Sequence, residues 1–219
     1  MNNHPSRRSV LATLAGGIAV GALGLPGPAA AAATGLFGSV ESRRDNPGRF
    51  PKWQGALNRY FSEAALAQQA CASSRFGRCE LQEWQAFLAG LAGAAPDAQI
   101  AAVHGEMNKR RYILDPINWN MPDYWESPGQ FLSRNGDCED YGIAKFMSLR
   151  ALGFPQETMR VVVLQDLNLG VAHAVMSIDH GGRTLILDNQ IRQVVPHEVI
   201  RHYRPIYSVN ETHWWLHRA

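Results

Sequence analysis

One cysteine, Cys138, lies in a run of residues whose types could do chemistry. Three carboxylates surround it, those of Asp137, Glu139 and Asp140, and an Asn-Gly turn signal precedes them. The apolar residues that follow have helical spacing, which places Cys138 at or near the first turn of a helix, where free N–H groups lower the pKa of a thiol. The carboxylates raise that pKa. A histidine partner, a cation among the acids, or both would balance these opposing effects.

A predicted β-hairpin further along the chain contains a candidate histidine. Strands over residues 171–178 and 184–187 are separated by an Asp-His-Gly-Gly-Arg turn signal. We expect the turn to be centred between His180 and Gly181. This centre fixes which residues of the two strands face each other.

The expected register makes His173 oppose Asp188. Directly opposed side chains lie on the same face of a sheet, with Cβ atoms about 4.5–5.5 Å apart. Cys138, His173 and Asp188 would then be nucleophile, base and orienting residue, with the imidazolium holding the thiolate as an ion pair. A shift by one residue would put the histidine and the aspartate on opposite faces.

Simpler interpretations of these residues stay open at this point. Cys138 alone could be inert, a histidine on an apolar strand is commonly a packed core residue, and an aspartate at a strand end commonly forms a turn. Spacing alone favours Asp137 as a helix cap, with Glu139 and Asp140 complementing the helix dipole, over a calcium site. Catalysis would also need donors for an oxyanion, the first being the N–H of Cys138. Candidates for the second donor are Asn118, Tyr124 and Trp125.

The elements that must position these residues change in type along the chain. Helical spacing is seen over residues 53–65, 81–91 and 96–107, and a short helical turn is expected just before the cysteine. The segment 36–51 is polar and turn-rich and is expected to wrap the surface. Beyond Pro155 the pattern becomes that of strands, which we expect over residues 159–164, 171–178, 184–187 and 205–209, with 214–216 adding to the last. Helices followed by an antiparallel sheet predict an α+β fold.

The length, composition and net charge of the chain indicate which classes of protein it can belong to. The chain has 219 residues, of which 46% are hydrophobic, enough for one well-buried domain. The net charge is +2, but Arg7 and Arg8 lie in a segment that we expect to be removed, and the remaining 19 basic residues balance 19 acidic ones. This balance gives no basic field of the kind that nucleic-acid binding needs.

The first 33 residues are typical of an export signal. Arg7 and Arg8 precede an apolar stretch rich in glycine and alanine, and residues 26–33 end in small residues suited to a signal peptidase. The arginine pair is consistent with a twin-arginine signal or with an ordinary secretory signal. We therefore expect residues 34–219 to form a single exported domain, in the periplasm or outside the cell.

Export also affects the interpretation of the other two cysteines. Cys71 and Cys79 lie in a short loop-like segment between helical patterns. Disulfides persist outside the cytoplasm, so these two are a predicted disulfide. Cys138 is left over, as expected for a reactive thiol.

The motifs around the cysteine, the histidine and the aspartate together resemble those of the bacterial transglutaminase-like cysteine proteinases. The resemblance extends over residues 36–217. The segments that carry it are Asp123-Tyr124-Trp125, Gly136-Asp137-Cys138-Glu139-Asp140-Tyr141, His173-Ala174-Val175, Leu187-Asp188-Asn189 and the stretch from Pro205 to Glu211.

The resemblance implies a papain- and transglutaminase-like fold and a calcium-dependent periplasmic protease. The catalytic residues would be Cys138, His173 and Asp188. The calcium ligands next to the cysteine would be Asp137, Glu139 and Asp140, which reverses the preference for simple capping. The substrate would be the N-terminal region of a large surface adhesin, cut near small residues to release it from a biofilm. The periplasmic domain of a membrane receptor that senses cyclic di-GMP would sequester the enzyme.

Two other functions use the same residues. A transglutaminase-type acyl transferase would form the same thioester and resolve it with an amine instead of water. A non-catalytic binding module would keep the cleft and lose turnover. The sequence does not separate the first of these from a peptidase, because both need the same cysteine, histidine and aspartate.

Overall fold

The computed structural model describes residues 35–66 and 78–218. The helices in this part of the chain are α1 (Pro51–Leu66), α2 (Arg78–Leu91), α3 (Pro96–Met107), α4 (Asp115–Asn118), α5 (Pro128–Arg134) and α6 (Cys138–Ala151). The strands are β1 (Val40–Asp45), β2 (Met159–Asp166), β3 (Val171–His180), β4 (Arg183–Leu187), β5 (Val195–Pro196), β6 (Tyr203–Val209) and β7 (His213–Arg218). The predicted α+β fold is confirmed.

Helix α6 is the central helix, because its residues from Glu139 to Leu149 are all buried. A helix that is buried on every side lies inside the protein and not on its surface. It packs against β2 and β3. Its N-terminus is fixed by Asp140, whose side chain accepts a 3.0 Å hydrogen bond from the N–H of Asp137. Cys138 is the first residue of this helix, as the sequence predicts.

All seven strands form one antiparallel sheet in the order β1-β7-β6-β2-β3-β4-β5. The larger core lies between the helices and one face of the sheet, where Phe146 packs with Val161 and Met176. A smaller core that includes Leu164 and Val175 contains residues of the alternate positions, which point to the opposite face. The sheet is therefore buried on both faces at its centre.

Segment 36–51 differs from its prediction as a polar surface wrap. Residues Val40–Asp45 form β1, which pairs with β7 at the edge of the sheet. The strand shows little alternation between buried and exposed positions, so its sequence carries no period-2 signal. Only pairing with β7, whose Arg218 pairs with Val40 from the other end of the described chain, makes it a strand.

The β3–β4 hairpin forms where predicted, but its predicted register was wrong by two residues. Asp179 pairs with Thr184 and His180 with Arg183, so that the turn is centred between Gly181 and Gly182. Both glycines have positive φ, +60° and +75°, the conformation that a two-residue type I′ hairpin turn requires. The paired glycines decided the centre of the turn.

Two predictions concern residues that lie outside the described part of the chain. The expected export signal over residues 1–33 is one of them. Cys71, one partner of the predicted disulfide with Cys79, is another. In residues 35–66 and 78–218, no helix has the length and apolar character needed to cross a membrane.

Candidate active site and cation site

Cys138 lies at the N-terminus of α6 with its sulfur largely enclosed. Its thiol donates a 3.2 Å hydrogen bond to Glu139 Oε2. Burial raises the pKa of this thiol, and the charges of Glu139 and Asp137 raise it further, whereas a hydrogen bond from the N–H of Ala174 acts in the opposite direction. The thiolate form of Cys138 is therefore unfavourable unless the charges of the neighbouring carboxylates are neutralised.

His173 and Asp188 form a buried pair. His173 Nε2 lies 3.0 Å from Asp188 Oδ1, and the two side chains are 2% and 0% exposed. This contact occupies Nε2. Nδ1, which lies 3.5 Å from Gln190 Nε2, is the nitrogen that could exchange a proton with a nucleophile in the cleft. The N–H of Gln190 donates to the same carboxylate oxygen at 2.8 Å, and Tyr203 Oη donates to Oδ2 at 2.6 Å.

These donors set the charge state of Asp188. Burial by itself raises the pKa of the carboxyl group, but the hydrogen bonds and charge of His173, with those from Gln190 and Tyr203, lower it overall. The aspartate is therefore ionised at neutral pH. It can orient the imidazole and stabilise its protonated form.

The histidine–aspartate contact forms although the register prediction was wrong. Asp188 lies just past the last residue of β4, Leu187, which pairs with Met176. An error of two residues preserves the face of the sheet, because side chains alternate with a period of two. His173 and Asp188 are thus diagonal neighbours on one face instead of directly opposed residues.

Cys138 and His173 line one cleft of about 270 Å³. One wall is apolar and comes from the sheet, where Val163, Ala172 and Ala174 lie. The opposite wall comes from the loop before α5 and includes Trp125. The helix start, the strand and the loop therefore supply different sides of a single site.

Two of the three predicted second oxyanion donors are engaged elsewhere. The Asn118 side-chain amide donates to Glu126 Oε1 at 2.8 Å and to a backbone carbonyl at 3.1 Å. The Tyr124 hydroxyl pairs with Gln130. Trp125 does line the cleft.

Tyr112 was missed by the sequence analysis. It lines the cleft and is half-exposed, and its hydroxyl hydrogen-bonds to Cys138. Burial raises the pKa of Tyr112, with the charges near Cys138 and Asp137 adding to the effect, so the phenol keeps its proton and is a donor. Tyr112 lies in the connection between α3 and α4, where an isolated bridge to Gly136 holds it, and no local pattern in the sequence signals this position.

The three predicted acids of the cation site are joined in the structure by acids that the sequence analysis missed. Asp115, Asp123 and Glu126 come from the α3–α5 loop, the largely irregular connection between α3 and α5 that contains the single turn α4, of which Asp115 is the first residue. Their oxygens approach those of the acids at the start of α6 to within 4.8 Å. The groups are Asp137 with Cys138 and Glu139, Asp115 with Glu126 and Asp140, and Asp115 with Asp123 and Glu139. The presence of acidic residues in an otherwise irregular, aromatic loop was the sequence feature that could have predicted their part in the cation site.

The clustered carboxylates repel one another, and their oxygens are suited to binding a hard cation. Of the buried side-chain oxygens that the structure describes, Asp115 Oδ1, Glu126 Oε2 and Asp137 Oδ1 have no hydrogen-bond partner. Burial raises the pKa of Asp115 to about 6, with Asp137 and Asp123 adding repulsion. It raises the pKa of Glu126 to about 8 and that of Glu139 to about 9. Clustered, unpartnered carboxylate oxygens are the ligands that Ca²⁺ prefers.

Comparison with known proteins agrees with this geometry. Residues 69–217 match the family model described as bacterial transglutaminase-like cysteine proteinase, about two thirds of the chain. The chain belongs to this family. A transglutaminase-like cysteine proteinase is a cysteine peptidase, which confirms the predicted enzyme class.

Solved structures give the same assignment. Legionella pneumophila LapG in its EGTA-treated form is 29% identical, with a TM-score of 0.61 over 73% of this chain and 86% of LapG. The calcium-bound form of LapG is also 29% identical, with a TM-score of 0.60 over 72% of this chain and 87% of LapG. A search of the curated proteins found no match.

Proposed function

We propose that this transglutaminase-like cysteine proteinase is a calcium-dependent endopeptidase that uses Cys138, His173 and Asp188 as its catalytic residues. The observation that carries the proposal is the buried 3.0 Å contact between His173 and Asp188, in the cleft that Cys138 also lines. A packed core histidine would need neither an ionised partner with three donors nor a place beside a thiol at a helix start.

Acylation would begin with transfer of the Cys138 proton to His173 Nδ1. The thiolate sulfur attacks the scissile carbonyl carbon, and the resulting oxyanion is held by the N–H of Cys138 and a second donor in the cleft. When the intermediate collapses, the C–N bond breaks and His173 gives its proton to the leaving amine. The product left on the enzyme is a thioester of Cys138.

Deacylation would reverse the roles of the same groups. His173 takes a proton from water, whose oxygen attacks the thioester carbonyl. The C–S bond then breaks, the thiol regains a proton, and the carboxylic acid product leaves. Asp188 holds the imidazole through Nε2 in both halves of the reaction and stabilises it while it is protonated.

Calcium would be held by Asp137, Glu139 and Asp140, with Asp115 and Glu126 as further ligands. A bound ion would neutralise the carboxylates that raise the pKa of the Cys138 thiol and would fix the first turn of α6. Support for this part comes from the unpartnered buried oxygens of the cluster and from the existence of a calcium-bound LapG structure. Cys138 lies between two of these acids in the sequence, so ion binding and thiol activation would be linked.

The proposed substrate is the N-terminal region of a large surface adhesin, cleaved near small residues in the periplasm. Cleavage would release the adhesin and disperse a biofilm. The proposed regulator is the periplasmic domain of a membrane receptor that senses cyclic di-GMP. These assignments rest on the family resemblance, and the export signal expected over residues 1–33 supports the location.

The proposal is tested by incubating a recombinant adhesin N-terminal segment with wild type and with Cys138→Ala, in calcium and in EGTA. Only wild type with calcium should produce new termini, and added Mg²⁺ should not replace calcium. Cleavage by Cys138→Ala equal to that by wild type would contradict the proposal. Including a labelled primary amine separates hydrolysis from acyl transfer, since a transferase would attach the label to the acyl product.

A further inference from the structure

Lys145 is a charged residue that the catalytic steps above do not use. It lies two turns after Cys138 on α6, and its side chain is fully buried. Removing an ammonium group from water costs several kcal/mol unless a partner compensates. In the described ranges 35–66 and 78–218, no carboxylate lies within ion-pair distance of its Nζ. A methionine of similar length would fill the same space without this desolvation free energy. A lysine at this position therefore suggests that its amino group has a specific role.

The contacts of Lys145 point toward Asp188. Its Nζ donates to the carbonyl oxygen of Leu187 at 3.4 Å, one residue before the aspartate. Asp188 is the charge that raises the pKa of Lys145, against burial, which lowers it to about 7. The ring of Tyr141 lies 5.7 Å from Nζ.

Other helix-borne groups hold the same segment. Asn108 Nδ2 donates to the carbonyl oxygen of Asp188 at 3.0 Å, and His104 Nε2 lies 3.1 Å from the carbonyl oxygen of Ile191. With Lys145, three side chains from α3 and its C-terminus and from α6 contact the backbone between residues 187 and 191. Residues 188–191 follow β4 and have no strand partner in the described part of the chain, so side chains hold this backbone in place of a ladder.

We propose that Lys145 is a positioning residue of the peptidase, whose side-chain nitrogen holds the backbone at Leu187 and so keeps the Asp188 carboxylate directed at His173. Because α6 also carries Cys138, the same helix would position both the nucleophile Cys138 and the orienting residue Asp188. The proposal rests on the proposed roles of Cys138, His173 and Asp188.

The test compares Lys145→Met, which keeps the length and loses the donor and charge, with Lys145→Gln, which keeps a donor. In Lys145→Met, kcat should fall about 10-fold or more, as for loss of one charged hydrogen bond, with KM changed less than about twofold. Lys145→Gln should recover part of kcat. Lys109→Met, at an exposed lysine that pairs with Glu106, is the matched control and should behave as wild type.

A proton NMR measurement separates positioning from general packing. The His173 Nε2 proton in the hydrogen bond to Asp188 should give a far-downfield resonance, assigned by its absence in His173→Gln. That resonance should shift or broaden in Lys145→Met and return toward its wild-type position in Lys145→Gln. Calcium affinity and thermal melting temperature are measured on the same samples.

Wild-type kcat in Lys145→Met, or a loss of kcat with the His173 resonance unchanged, would overturn the proposal. If Lys145→Met does not fold, Lys145→Gln alone decides: wild-type kcat and an unshifted resonance with the charge removed would overturn it. Activity of Cys138→Ala, in contrast, would contradict the proposed function itself. The two failures are therefore distinguishable.

Discussion

The hydroxyl of Tyr203 donates a 2.6 Å hydrogen bond to Asp188 Oδ2, while His173 holds Oδ1 at 3.0 Å. The ring of Tyr203 also lies 5.7 Å from that of His173. Strand β6 thus supplies a third residue to the histidine–aspartate pair. Because the N–H of Gln190 also donates to Oδ1, at 2.8 Å, both carboxylate oxygens have a partner other than His173, and the orientation of Asp188 is fixed independently of the histidine.

Tyr203→Phe should lower kcat/KM about 10-fold, since it removes one hydrogen bond to a buried charge and leaves the ring in place. The free energy of unfolding should fall by about 1–3 kcal/mol for the same reason. Steady-state kinetics and urea denaturation at saturating calcium measure the two effects. Tyr60→Phe, at a tyrosine of α1 that does not line the cleft, is the control for activity. Equal activity of Tyr203→Phe and wild type would refute this role.

Calcium affinity should rise with pH between 6 and 8. Glu126 and Glu139, with pKa values of about 8 and about 9 without the ion, hold protons at pH 7 that binding must expel. Each released proton increases the association constant about tenfold per pH unit. Titration calorimetry in buffers of different ionisation enthalpy measures the number of protons released. An affinity independent of pH would show that the acids are already ionised.

Stability of the calcium-free protein should fall as pH rises from 7 to 8.5. The folded-state pKa values of Glu126 and Glu139 lie above their unfolded values, so the folded state binds more protons in this range and loses stability as they leave. His104 and His217, whose pKa values are lowered to about 4, act with the opposite sign at lower pH. Lys145, whose pKa is lowered to about 7, acts with the opposite sign inside the window, so it reduces the fall in stability that the two glutamates produce. Urea denaturation in EGTA at several pH values tests this, and saturating calcium should remove the trend.

Substitution at the acids of the α3–α5 loop should affect affinity and stability in opposite directions. Glu126→Gln should weaken calcium binding at least about tenfold, yet make the calcium-free protein more stable at pH 8 because a repelling charge is gone. Asp115→Asn should behave in the same way. Asp97→Asn, at an exposed position, is the control. Loss of stability in both substituted proteins, with affinity unchanged, would exclude these acids from the cation site.

Short-range patterns in the sequence predicted most of the fold. The spacing of apolar residues located α1, α2, α3 and α6, and the change of period after Pro155 located the strands β2, β3, β4 and β6. These features depend on neighbours within a few residues, which is why a single sequence reveals them. Strand β1 was missed, because its conformation depends on pairing with β7 at the other end of the described chain.

The candidate site divides in the same way. The sequence by itself determined that Cys138 begins a helix among acids, and that His173 and Asp188 share one face of a hairpin, since a period of two survives a register error of two. Only the tertiary structure brought in Tyr112, Tyr203, Lys145 and the loop acids. Their roles depend on distances between elements far apart in the chain, and these are set by how the helices pack on the sheet and not by any local pattern.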